Sequence, residues 1–223
     1  MKRILLFASL VIILAIVSAF RLMQKKKVIF FGDSITQAGV TPHGYITLLQ
    51  QMLAKEGRDN AFDLIGAGIG GNKVYDLYFR LEDDVLSKKP DIVFIYVGIN
   101  DVWHKKSNGT GTDPDKFERF YNKIIDKLQA AGAKVIICTP TVIGEKKNFV
   151  NELDGDLNKY AAIIRNIAKN KNTGLIDLHK AILEYIDTHN PEDKDKGVLT
   201  TDGVHMNDTG NEFLAKQFYQ YIK

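Results

Sequence analysis

Val28-Ile-Phe-Phe-Gly-Asp-Ser-Ile-Thr36 is the stretch on which the fold turns. Four consecutive apolar residues, with no polar alternation, read as a strand covered on both faces. They run straight into Gly32-Asp33-Ser34-Ile35-Thr36, a turn toward a helix that leaves Ser34 projecting from the carboxyl end of the strand. The same grammar repeats down the chain. Strands are expected at Val28–Gly32, Phe62–Gly66, Asp91–Val97, Lys134–Thr139 and Gly174–Asp177. Helical spacing is expected at about Tyr45–Glu56, Val74–Ser87, Asp115–Ala131, Leu153–Lys171 and Asp208–Tyr221. Gly132 stops the third of these helices. Five rounds of strand and helix predict an α/β protein, a three-layer α/β/α sandwich around a parallel sheet.

At 223 residues, 45% hydrophobic and 26% charged, the chain suits one large domain and excludes disorder. Its formal charge of +3 is unevenly spread. Residues 1–27 hold six basic groups and no acid, so the remainder carries 24 basic against 27 acidic groups, about −3. No nucleic-acid-binding surface is implied. The uncharged run Ile4–Phe20, flanked by Lys2-Arg3 and by Arg21 and Lys25–Lys27, reads as an export signal or N-terminal membrane anchor. Its length of 17 residues falls just short of a comfortable bilayer span, and Val17-Ser18-Ala19 offers a cleavage site. The expectation is an exported protein, periplasmic or extracellular, with segment 1–27 preceding a domain over 28–223. Cys138 is the sole cysteine, which removes an intramolecular disulfide and a cysteine-based zinc cluster; no metal or organic cofactor is expected. Cys138 itself reads as a small buried hydrophobe.

Sheets of this type gather ligands at the carboxyl ends of their strands, and four polar spots fall where that rule wants them. Ser34 follows the first strand as a candidate nucleophile; the plain alternative is an Asp/Ser turn or helix cap. Gly66-Ala-Gly-Ile-Gly-Gly-Asn72 follows the second and lets backbone approach a ligand. It also fits G-x-G-x-x-G at Gly66, Gly68 and Gly71. A dinucleotide site there is the alternative from another class, weakened because the motif follows the second strand rather than the first. Gly98-Ile-Asn-Asp101 follows the third and can aim the Asn100 amide at an oxyanion. Asp202-Gly-Val-His205 precedes the last helix, and a carboxylate three residues before a histidine can fix the imidazole tautomer. Asp101-Val-Trp-His104 has the same spacing. His205 is preferred as base because it arrives from a distant loop on the open side of Ser34. His104 is expected to be a rim or substrate contact, or simply exposed. Trp103 reads as a half-buried aromatic or a pocket wall, Asp33 as support for its loop, and Glu82-Asp83-Asp84 as a solvated helix face. His179 and His189 show no partner pattern.

Taken together, these blocks resemble the SGNH (GDSL-type) serine hydrolases, from about Lys27 to the C-terminus. Ile35 stands where the family name has Leu, and Asn72 where an Asp is common. The resemblance implies a flavodoxin-like five-stranded parallel sheet and a carboxylic ester hydrolase. It also implies the roles: Ser34 as nucleophile, Asp202 and His205 completing the triad, and Ser34, Gly71 and Asn100 as oxyanion donors. The expected substrate is a small acyl ester, foremost an acetyl group on a carbohydrate. Short-chain lipid or aryl esters and thioesters are the alternatives.

Overall fold

The computed structural model describes residues 24–222. The proposed export segment lies almost wholly outside them. Five parallel strands, β1 Lys26–Gly32, β2 Phe62–Gly68, β3 Ile92–Tyr96, β4 Lys134–Cys138 and β5 Gly174–Ile176, form one sheet in the order β2-β1-β3-β4-β5. Eight α-helices accompany them among the described residues: α1 Ser34–Ala38, α2 Tyr45–Lys55, α3 Val74–Asp84, α4 Ile99–Ser107, α5 Pro114–Ala130, α6 Asp154–Lys171, α7 Leu178–His189 and α8 Asp208–Ile222. No helix among the described residues is long and apolar enough to cross a membrane.

Alternate residues of β1 sort the helices into layers, because successive side chains of a strand leave opposite faces of the sheet. Phe30 stacks on Phe94 of β3 at 5.0 Å and meets Phe218 of α8 at 5.5 Å, while Tyr45 of α2 stacks on Phe218 at 4.9 Å. Phe31 faces the other way, under the Arg80 guanidinium of α3 at 4.5 Å. Thus α2 and α8 cover one face, and α3 packs on α5 and α5 on α6 over the other. Strands β1, β3 and β4 are almost wholly buried, as their unbroken apolar runs require.

Two features differ from the sequence reading. Strand β2 is half-exposed at the sheet edge and runs on to Gly68, pairing Gly66 with Phe30 and Gly68 with Gly32. Helices α1, α4 and α7 fall outside the segments of expected helical spacing. The first is only five residues long, and α4 (INDVWHKKS) is too polar to show a stripe. Helix α7 starts from Asp177, which the sequence pattern places at the end of β5 but which caps the helix by accepting from the Lys180 N–H.

The register sets the site. Gly32 pairs with Gly68 on one side and with Tyr96 on the other, so β1, β2 and β3 end level. The strand order reverses at the β1/β3 pair, where such sheets open a crevice.

Candidate active site

A Cβ on Gly32 would collide with the Tyr96 carbonyl and the Thr36 hydroxyl, so only glycine lets β1 end this close to β3. Asp33 then caps α1, its Oδ1 accepting the Ile35 N–H at 3.0 Å. Ser34 is the first residue of that helix, a position whose N–H has no intrahelical acceptor.

Ser34 Oγ lies 3.0 Å from His205 Nε2, across 171 residues of chain. His205 Nδ1 lies 2.7 Å from Asp202 Oδ2. An ionised carboxylate only accepts, so this contact puts the ring proton on Nδ1 and leaves Nε2 free to accept from the serine. Asp202 Oδ1 also accepts the backbone N–H groups of Val204 and His205, at 2.9 and 2.8 Å. Burial alone would raise the Asp202 carboxyl, but the His205 ring and these N–H groups hold it below its ordinary range.

The loop carrying this pair is fixed by a residue the motifs gave no hint of. Glu145, fully buried, accepts from the backbone N–H groups of Val198, Leu199 and Thr200, each at 2.7 Å. Gly144 N–H donates to the Gly203 carbonyl at 2.8 Å, and Gly203, at φ +96°, occupies a conformation that favours glycine.

On the other side of Ser34, Gly71 turns at φ +76°. Asn100, buried, donates from Nδ2 to the Asn72 carbonyl at 3.1 Å, which uses one of its two N–H groups and leaves the second for an oxyanion. Arg80 ties the loop to β1: Nε donates to Asn72 Oδ1 and one Nη to the Gly32 carbonyl, both at 2.7 Å. The neutral Asn72 side chain therefore still supports the loop. The other Nη pairs with Asp84 at 2.7 Å, so Asp84 is not merely a solvated member of its acidic run. Asn100→Ala is expected to lower kcat about 10²- to 10³-fold with KM little changed, measured by steady-state ester hydrolysis.

The glycine-rich stretch has packing reasons of its own. A Cβ on Gly66 would meet Val40, and one on Gly68 would enter the backbone of α1 at Thr36 and Gln37. Gly66 and Gly68 thus lie within β2, and neither needs a bound dinucleotide to account for it.

The second D-x-x-H does not assemble. Asp101 is buried with both carboxyl oxygens 3.2 Å from the Val74 N–H. His104 stays half-buried near Gly71, and burial and the neighbouring Lys73 charge push its imidazole down. His179, which shows no partner pattern in the sequence, is buried with Nδ1 2.6 Å from the Thr141 carbonyl and Nε2 2.9 Å from the Asn158 side chain. His189 stacks on Tyr185 at 3.9 Å. Cys138 is buried and free, and burial raises its thiol. Among the described residues, no group of three or more His, Cys, Asp or Glu side chains is placed to hold a metal ion.

Two carboxyls behind the site are unusual. Burial pushes Asp33 up to about 7, against the pull of the Ile35 N–H and the His205 and Arg80 charges, and its Oδ2 has no hydrogen-bond partner. Burial likewise pushes Asp101 up to about 7. A carboxyl with a raised folded-state value stabilises the fold below its unfolded value of 3.8, and that contribution is lost as pH rises toward 7. Asp33→Asn is expected to flatten the fall of Tm between these limits, measured by calorimetry across pH.

The GDSL-like lipase/acylhydrolase family matches residues 30–213 of this chain. A crystal structure of an acetyl xylan esterase superposes with a TM-score of 0.88 at 59% identity, covering 88% of this chain and all of that one. The acetylxylan esterase of Geobacillus stearothermophilus is 28% identical over 212 residues, covering 88% of this chain and 94% of the relative. An isoamyl acetate-hydrolyzing esterase 1 homolog from Rattus norvegicus is 25% identical over 205 residues, 84% of this chain and 78% of the relative. With its matched blocks and five-stranded parallel sheet, the chain belongs to the GDSL-like lipase/acylhydrolase family and is a carboxylic ester hydrolase.

Proposed function

We propose that the protein is a serine esterase that removes acetyl groups from a carbohydrate through an acyl-enzyme. The observation that carries the mechanism is the relay Ser34 Oγ to His205 Nε2 at 3.0 Å, backed by His205 Nδ1 to Asp202 at 2.7 Å. His205 takes the Ser34 proton as the hydroxyl oxygen attacks the ester carbonyl. The tetrahedral oxyanion accepts hydrogen bonds from the Ser34 and Gly71 N–H groups and from Asn100 Nδ2. Collapse expels the alcohol, which leaves with the proton held on His205 Nε2. Water, deprotonated by His205, then attacks the acyl-serine, and collapse returns the proton to Ser34 and frees the acid.

The relatives support the acetyl group. Acetylxylan and isoamyl acetate, named for proteins similar to this one, share that acyl part and differ in the alcohol. Similarity to the acetyl xylan esterase at 59% identity favours a carbohydrate alcohol. A short-chain aliphatic acetate is the second reading, favoured by the isoamyl acetate relative. Export fits a polymeric glycan, which does not enter cells, and rests on the apolar run Ile4–Phe20. The test is release of acetate from acetylated xylo-oligosaccharides set beside p-nitrophenyl esters of rising chain length, for wild type and Ser34→Ala. Acetate release from the sugars, with aryl-ester turnover falling beyond the two-carbon acyl group, supports the reading. Preference for long acyl chains overturns it.

A further inference from the structure

Beside the relay lies a cleft of about 370 Å³, lined by Trp103, Lys106 and Ser107 of α4 and by Ile143, Glu152 and Leu153 from the loop after β4. That volume is within the range of small-molecule sites and far exceeds what a two-carbon acyl group fills. Its position relative to His205 says which half of an ester it faces. The imidazole must hand its proton to the departing alcohol, so the alcohol leaves on the His205 side. The Trp103 ring stands 6.4 Å from the His205 ring, edge to face. Ile143 belongs to the same strand-end loop as Gly144, whose N–H holds Gly203 in the Asp202–His205 turn. The cleft therefore opens on the leaving-group side.

Its lining is divided by polarity. Trp103, Ile143 and Leu153 are half-buried and packed on the core, forming an apolar floor. Lys106 and Glu152 pair across the rim, both well exposed, and Ser107 adds a hydroxyl. A sugar ring has the matching division, with C–H groups on its faces and hydroxyls around its edge. We infer that this cleft is the subsite for the sugar ring bearing the scissile acetate, with Trp103 as its platform and Lys106 and Glu152 as hydrogen-bonding partners of the neighbouring hydroxyls. The inference rests on the acetylated-carbohydrate reading above and names where that reading's alcohol sits.

Trp103 is the only tryptophan in the chain, so its emission reports on this cleft alone. The full-length Ser34→Ala protein is titrated with acetylated xylo-oligosaccharide and, separately, with ethyl acetate, whose alcohol is too short to cover the indole. A saturable emission change with the oligosaccharide, absent with ethyl acetate at the same concentrations, is expected. In the active enzyme, Trp103→Ala is expected to raise KM for the oligosaccharide about tenfold, with a smaller effect on kcat. The ratio of kcat/KM for oligosaccharide to that for ethyl acetate should fall accordingly, and Trp103→Phe should recover most of it. Two results overturn the subsite while leaving the carbohydrate reading intact. One is wild-type deacetylation of the oligosaccharide without any emission change on binding; the other is an equal loss on both substrates in Trp103→Ala and Trp103→Phe. A wild type that hydrolyses ethyl acetate but no acetylated sugar overturns the carbohydrate reading, and the subsite falls with it.

Discussion

Ser34→Ala is expected to lower kcat for ester hydrolysis by about 10⁶-fold while leaving KM and Tm close to wild type. The methyl group cannot attack a carbonyl, so no acyl-enzyme forms and the two-step route closes. On the proposed mechanism the remaining donors, Gly71, Asn100 and the backbone N–H at position 34, would still hold an oxyanion and leave a residual rate about 10³- to 10⁴-fold above that in water. The fold should tolerate the change, because Ser34 is half-buried and its hydroxyl bonds across the cleft to the His205 ring rather than into the core. Burst kinetics with p-nitrophenyl acetate check the first point and calorimetry the second. A burst of unchanged size in Ser34→Ala would place the nucleophile elsewhere.

His205→Ala is expected to be nearly as damaging, about 10⁵- to 10⁶-fold in kcat, whereas His104→Ala should stay within about tenfold of wild type. Among the described residues, the hydrogen bond of Ser34 Oγ is to His205, whose far nitrogen in turn meets the Asp202 carboxylate. Asp101 accepts from the Val74 N–H rather than pairing with His104, despite identical spacing in sequence. Members of a relay act as one unit and their losses do not add. The Ser34→Ala/His205→Ala double variant should therefore be no slower than the worse single variant. Additive losses would mean that the two side chains serve separate steps.

Much of the fold and of the site's geometry is legible in the sequence, and the reason is physical. Strands buried on both faces leave unbroken apolar runs, and a parallel sheet delivers the residues that follow them to one edge. Asp202 and His205 were readable because their contact is local, three residues apart. What escaped was either short, polar or remote. Helix α1 carries five residues and no periodicity. Glu145 acts on N–H groups more than fifty positions away, and Arg80 on a carbonyl 48 positions back, so no spacing announces either. One cue for Arg80 did exist: a charged residue beside the buried stripe of Leu77 and Leu81 demands a partner. The G-x-G-x-x-G match shows the opposite error, since its first two glycines answer to the crowding of β2 against α1 and Val40 rather than to a phosphate.

The relay itself is tested most directly by mass spectrometry of the full-length protein after treatment with a fluorophosphonate, which phosphonylates a hydroxyl only where a base has activated it. One adduct per chain, on the peptide containing Ser34, with loss of esterase activity in proportion to labelling and no labelling of His205→Ala, is the expected outcome. Activity that persists while Ser34 is fully modified, or an adduct on a different serine that tracks inactivation, would contradict the assignment of Ser34 and His205 as a working pair.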